Sequence, residues 1–485
     1  MSETKKLSKS LGILEVIGLS IALMAPSMAA NINPQGPASI VGQAVPLAFL
    51  ASFIGILFVS YGFIRLTQRF NHSGSLYGLV GKTVGPRAGV VAGVSLLGAY
   101  IFFIGFCFNV SGRFIVATLQ ELGFWGENID PAAFGFGLVA LAISVYVAVQ
   151  PVKKGTRALL YIEGATVALI LITAVVVLVK IISGNAPAGQ TLNFDGFSLA
   201  EGTTTSAALL AVVYGFLSFA GFEAAITLGE EAHAPRKDIP KALLWSTLLV
   251  GTYYVFVTWI ETLGFGTDAA GVEKFVASPS LLGDLGTQFI GSWIGTLITA
   301  GAAISGFACL LSALLGAARV LFALGRDAGL TTFSKVSDKN GVPTTAVYWS
   351  AGIALAAMLI WKGLYPNNSG SFDIFLATAT IGTVLILAAY AFTTFGAINY
   401  LFLKSKKHAP LHEIVVPVIG LAILLYVIKA NVWPLPEAGT PNRGYVYAVL
   451  LVLVSITVFV LAAPKFARKM GERLNSDEGL VELDA

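Results

Sequence analysis

Read from its first residue, the chain alternates between long apolar runs and short clusters of charge. Uncharged stretches such as 181–194, 88–112 and 342–361 follow one another with few interruptions. A bilayer-crossing helix takes ~20 mostly apolar residues. With charge clusters and Pro/Gly/Asn loops as boundaries, the pattern predicts twelve spans, at 13–31, 40–64, 88–118, 133–150, 158–182, 203–228, 242–266, 290–324, 343–361, 372–402, 413–430 and 445–463. The third, eighth and tenth are longer than the hydrocarbon requires, which implies tilt or extension beyond the lipid. The predicted class is an all-α polytopic membrane protein.

Composition supports that class. Of 485 residues, 56% are apolar and 12% charged, against ~25% charged in ordinary soluble domains. The distribution of charge orients the spans. With the N-terminus inside, 24 of the 30 Lys and Arg fall in inner segments and five (Lys180, Lys274, Lys362, Lys429, Arg443) in outer ones, while Arg113 lies within the third span. This is the positive-inside asymmetry, and it predicts a plasma-membrane protein with both termini cytoplasmic. Lys5, Lys6 and Lys9 ahead of an apolar stretch imitate a secretory signal, but Glu15 interrupts the stretch and eleven further spans follow, so a retained first helix is expected.

Little else in the composition points to chemistry. Cys107 and Cys309 lie inside apolar runs and His72, His233, His408 and His412 are scattered, so neither a disulfide framework nor a metal site is expected. No cofactor, nucleic-acid patch or nucleophile–base pair is indicated. Gly135-Phe136-Gly137-Leu138-Val139-Ala140 imitates a dinucleotide fingerprint, yet it lies in the fourth span with no preceding strand. The sequence carries no signal for an oligomeric state.

Two spans contain sequence that a continuous helix resists. Met24-Ala25-Pro26-Ser27-Met28 places a proline inside the first span, removing a backbone bond and crowding the preceding turn. Ser218-Phe219-Ala220-Gly221-Phe222-Glu223 sets a small flexible pair beside an acid in the sixth. Spans one and six each open a block of five and run in opposite directions, as expected when inverted repeats place discontinuous helices around a midplane site. Amides freed at the start of each second half suit a carboxylate. Carbonyls freed at the end of each first half suit an ammonium or Na⁺. A zwitterion needs both.

Three stretches carry a resemblance to the amino acid–polyamine–organocation (APC) transporter family. They are Phe70-Asn71-His72-Ser73-Gly74-Ser75-Leu76-Tyr77 with Gly85-Pro86-Arg87-Ala88-Gly89; Phe219 to Glu223 with Glu230 to Ala242; and Ala317 to Leu330 with Gly341-Val342-Pro343. The resemblance implies the five-plus-five inverted repeat of the leucine-transporter fold, with discontinuous helices one and six and two added C-terminal helices. The implied division is a tail 1–12, repeats 13–182 and 203–402, helices eleven and twelve over 413–463, and a cytoplasmic tail 464–485. It also implies alternating access and an organic amine as substrate. The chain departs from the family in reading Pro26-Ser27-Met28 where many members have a Gly-small-Gly turn, which is similar to the polyamine-importing branch. It has Leu217 where many carry an aromatic gate, and Thr166 where proton-coupled relatives carry a lysine.

Ionisable groups inside spans cost at least ~2.5–3.5 kcal/mol, so each needs a partner or a function. Glu223 is the candidate switch at the sixth-span break. Glu163, one turn from Thr166, is a candidate proton acceptor. Glu15 and Arg319 are candidates for an inner gate, and Arg113 and Glu261 for an outer pair. Ser305 and Ser312, seven residues apart, are candidate Na⁺ ligands, and Asn109 a candidate pocket residue. The functional expectation is secondary transport of an amino acid, by proton-coupled symport or by exchange, with Na⁺ as the other possible coupling ion. Pro26, Ser27 and Met28 are expected to meet the carboxylate. Leu217, Ser218, Phe219, Ala220 and Gly221 are expected to meet the amine and close over the side chain, with Phe216, Phe219 and Phe222 shaping the pocket. A polyamine importer and a non-transporting sensor are the alternatives.

Overall fold

The computed structural model describes residues 12–71, 76–126, 128–150, 155–228, 232–335, 337, 342–404, 407–476 and 481–482. Eighteen α-helices run through them. The first third holds α1 (Ile13–Leu23), α2 (Pro26–Ile32), α3 (Gln35–Val41), α4 (Val45–Thr67), α5 (Leu76–Thr83), α6 (Pro86–Glu121), α7 (Ile129–Ala148) and α8 (Gly155–Ile182). Next come α9 (Thr205–Phe219), a 3₁₀ segment Phe222–Leu228, α10 (Pro235–Phe265), α11 (Ala269–Ala277), α12 (Leu281–Phe289) and α13 (Ser292–Ala328). The last are α14 (Thr344–Leu364), α15 (Ser371–Ile398), α16 (Val415–Val432), α17 (Pro441–Ala462) and α18 (Pro464–Ser476). A two-residue antiparallel pairing joins Phe70–Asn71 to Val481–Glu482.

Ten helices are long and apolar enough to cross a membrane, so the protein is a multi-pass membrane protein. They match ten of the predicted spans, with ends shifted by up to seven residues: α10 begins at Pro235 rather than 242, because a proline fits the first helical turn, where its missing N–H is not needed. The remaining two predicted spans are the interrupted ones. Alone, the 11-residue α1 rises only about 16 Å, half of the ~30 Å hydrocarbon thickness. The apolar pattern did not separate α3, α5, α11, α12 and α18, which are too short to cross.

Helix ends follow local chemistry. Gly329, at φ +75°, closes α13 in the left-handed conformation, and the Leu330 N–H returns to the Gly325 carbonyl, satisfying an otherwise orphaned acceptor. Inside the bundle, α6 packs on both α13 and α15 and forms its centre. α15 is the most enclosed of the ten long helices, and α16 and α17 are the least. Leu451, Val454, Val458 and Leu461 on α17, like Ile172, Val175 and Val179 on α8, present large apolar side chains outward. Such a surface suits lipid. Close approach depends on glycine at Gly112, where an added Cβ would lie 1.9 Å from the Ala133 carbonyl oxygen of α7.

Candidate functional site

Both suspected breaks are present. Between α1 and α2, Ala25 takes φ 46° and ψ 56°, the only positive φ of a non-glycine among the described residues. The cause is local: a residue before proline is crowded out of the right-handed helical region, and Pro26 restarts the helix at its first position. Between α9 and the 3₁₀ segment, Ala220 is extended and Gly221 takes φ +104°. α1 packs against the 3₁₀ segment and α2 against α9, so the two breaks meet.

The freed amides are not empty. Pro26 has no N–H, the Ser27 N–H donates to Glu163 Oε1 of α8 at 2.9 Å, and the Met28 N–H donates to Ser305 Oγ of α13 at 3.3 Å. At the other break the Gly221 N–H donates to Glu223 Oε2 at 3.1 Å, and the Tyr390 hydroxyl of α15 donates to the same oxygen at 2.6 Å. The second carboxyl oxygen of Glu223 is buried without a partner. Each break therefore has a glutamate of the chain itself where a ligand carboxylate was expected. Tyrosines of α10 reach carbonyls on either side of the first break: the Tyr254 hydroxyl donates to the Met24 carbonyl at 3.4 Å and the Tyr253 hydroxyl to the Pro26 carbonyl, in the first turn of α2, at 3.3 Å.

Other candidate residues fall around this centre or away from it. Ser218 Oγ accepts from Asn33 Nδ2 at 2.7 Å and ties the breaks together just beyond α2. Ala220 and Gly221 are half-buried, while Leu217 is buried. Phe216, Phe219 and Phe222 are buried against neighbouring helices. The Phe219 ring contacts those of Phe53 and Tyr254, Phe222 contacts Phe63 and Tyr390, and Phe216 lies against Gly55. Asn109 Nδ2 bonds the Gly105 carbonyl at 2.8 Å and faces the Met358 sulfur of α14.

Thr166 returns its hydroxyl to the Ile162 carbonyl and packs on Gly301, so Glu163 and not Thr166 reaches the break from α8. Ser312 bonds back to the Ala308 carbonyl. Its position, about 10 Å along α13 from Ser305, separates the two hydroxyls that had been paired as ion ligands. Arg113 and Glu261 do not pair. Arg113 binds Asp130 at 3.3 Å and Ser371 Oγ at 3.2 Å, with its guanidinium 5.2 Å from the Phe372 ring centre. Arg319 is exposed, and the Glu15 side chain lies outside the described residues, as do Glu230 and Glu231.

Sequence reasoning missed Tyr390, Tyr253, Tyr254 and Asn33. The adjacent phenols Tyr253-Tyr254 in an apolar span were a usable signal, because a buried tyrosine hydroxyl needs a partner. Nothing distinguished Tyr390 from any other aromatic in its helix.

A hairpin of α11 and α12 covers the end of α2. Asn31 Oδ1 accepts from Ser280 Oγ and from the Leu282 N–H, both at 2.9 Å, and Gln35 Nε2 donates to the carbonyls of Phe275 and Ser278. Beside them, burial pushes Asp284 up to about 6, partly offset by the hydrogen bond from Ser278 Oγ at 2.6 Å.

The pattern of the amino acid permease family matches residues 10–471. The chain is 24% identical to the low-affinity putrescine importer PlaP of Escherichia coli (strain K12) over 415 residues, covering 84% of each. It is 26% identical to the branched-chain amino acid permease BcaP of Bacillus subtilis (strain 168) over 357 residues, 70% of each. With BcaP of Lactococcus lactis subsp. cremoris (strain MG1363) it shares 22% over 474 residues, 93% of this chain and 92% of that one. A match of this extent, over helices of this length and apolarity, makes the chain a member of the amino acid permease family, a membrane transporter and not an enzyme.

Proposed function

We propose that the protein is a proton-coupled secondary transporter of an amino acid in the plasma membrane, working by alternating access around the two breaks. In this reading α1–α2 and α9 with its 3₁₀ segment are the discontinuous first and sixth spans of a five-plus-five inverted repeat. The twelve spans leave both termini cytoplasmic. Lys and Arg clustered in the connections on one side support that orientation.

The observation that carries the reading is the bond from Ser27 N–H to Glu163. An ionised Glu163 competes with a substrate carboxylate for the amides of Ser27 and Met28. Protonation weakens it as an acceptor and releases those amides, so proton and amino acid load together. Glu223, held by Gly221 and Tyr390, stands at the second break to balance the ammonium. The half-buried Ala220–Gly221 backbone gives the substrate its approach.

One observation favours a second reading. Glu163 and Glu223 are both buried at the breaks, and neither is ion-paired with a Lys or Arg among the described residues. Two acids so placed suit the two ammonium groups of a diamine, and a putrescine importer is among the relatives. Purified protein in liposomes, given labelled L-leucine or putrescine under an imposed pH or Na⁺ gradient, tests both. Leucine uptake driven by inward proton flow supports the first reading and putrescine uptake the second. No uptake of any labelled amino acid or amine under either gradient overturns the function proposed.

A further inference from the structure

One buried acid has no part in the site described above. Glu261, on α10, is fully buried, and neither carboxyl oxygen has a hydrogen-bond partner among the described residues. An uncompensated polar group in a low-dielectric interior is costly, and an acid buried in a membrane protein is a functional candidate by default. Its position suggests the function.

Glu261 stands one turn from the end of α10 and is sealed by the hairpin. Leu285 of α12 packs against Gly264, and the Phe265 ring lies 5.3 Å from that of Phe275 of α11. Seven residues earlier on the same face of α10 is Tyr254, which bonds the Met24 carbonyl, and beside it Tyr253, which bonds the Pro26 carbonyl.

No other charged group answers Glu261. From α8 come Glu163, bonded to Ser27, and Lys180, bonded to the Phe289 carbonyl. From α12 comes Asp284, bonded by Ser278, and from the 3₁₀ segment Glu223, bonded by Gly221 and Tyr390. α4 brings Arg65, ion-paired with Glu413. Glu273 and Lys274 of α11 and Asp195 of the turn Asp195–Phe197 are exposed. α2 and α9 bring no charged residue, the Glu15 side chain of α1 lies outside the described residues, and Arg236, Lys237, Asp238 and Lys241 sit at the opposite end of α10.

We propose that Glu261 is a second proton-binding site of the transport cycle, beneath the hairpin. The proton that enters forms an O–H bond on Glu261, and that bond breaks when the proton returns to water. This inference rests on the proton-coupled reading above.

Full-length wild type, Glu261→Gln and Glu261→Asp in liposomes test it, with L-leucine and putrescine as probes. Two quantities are read: accumulation driven by an inward proton gradient, and counterflow exchange at equal pH on both sides. The Gln variant should lose at least tenfold in gradient-driven accumulation and keep counterflow within twofold. The Asp variant should keep coupling with a displaced pH profile. Gradient-driven accumulation at the wild-type level in Glu261→Gln overturns the inference, as does parallel loss of accumulation and counterflow, which marks a structural role. If the Gln variant does not fold, an Asp variant with an unshifted pH profile overturns it. A wild type that ignores the proton gradient sinks the coupling reading instead, whatever the variants do.

Discussion

Replacing Glu163 by Gln isolates the competition at the first break. The carboxyl accepts the Ser27 N–H at 2.9 Å and is buried between α8, α2 and α13. A hydrogen bond to a charged acceptor contributes about 1.5–3 kcal/mol and one to a neutral acceptor about 0.5–1.5, so the amide side chain holds Ser27 about 1 kcal/mol less tightly. If a substrate carboxylate must displace that acceptor, the same 1 kcal/mol returns as affinity. Since 1.4 kcal/mol is tenfold, the apparent KM for L-leucine should fall about fivefold in the variant at pH 8. The sign with pH follows: acid protonates Glu163 and frees the amides, so the wild-type KM falls on acidification toward that of the variant, which stays flat. For putrescine the direction reverses, because an ionised carboxylate attracts an ammonium. Counterflow in liposomes across a pH series measures this without a driving gradient. A leucine KM that is unchanged or raised in the variant, with its pH response intact, would refute the competition.

Other expectations follow from single contacts. Asp284 is raised from 3.8 to about 6 by burial, so the native form binds more protons than the unfolded chain and the hairpin weakens as pH rises from about 4 to 6, by up to about 3 kcal/mol. Asp284→Asn should therefore slow hydrogen exchange in α12 at pH 8 and leave it unchanged at pH 3.5. Tyr390→Phe removes the 2.6 Å bond to Glu223 at a cost of about 1.5–3 kcal/mol, seen as a lower Tm; combined with Glu223→Gln in a double-mutant cycle, the two losses should be less than additive. Gly112→Ala forces a methyl group against the Ala133 carbonyl oxygen, where backbone must move, and should destabilise the α6–α7 contact by about 3 kcal/mol or more. Wild-type thermal stability in that variant would show that the helices separate easily.

Ten spans and both breaks were legible because each rests on a local rule: the length of an apolar run, a proline in mid-run, a small pair beside an acid. Glu163 was marked as an acid in a costly place, but its partner Ser27 lies 136 residues away. No local pattern specifies such a contact. The same limit explains the assignment of Arg113 to Glu261. Both were ionisable groups in long apolar helices, yet Asp130, on the neighbouring α7, reaches Arg113 first. The three phenylalanines of the sixth span were marked by their spacing around the break, but which helices they touch was not: Phe219 and Phe222 turn their rings toward α4, α10 and α15. The bond from Tyr254 to the Met24 carbonyl illustrates a rule that sequence alone does not spell out: buried backbone groups are paired, and the partner can come from a neighbouring helix.

The polar clasp from Asn31 and Gln35 onto the α11–α12 hairpin has a mechanical consequence. Asn31 also bonds the Ser27 carbonyl within α2, so one side chain grips the hairpin and the first turn beyond the break. The hairpin and the first turn of α2 are therefore held through one shared side chain, so a substitution at Asn31 loosens both at once.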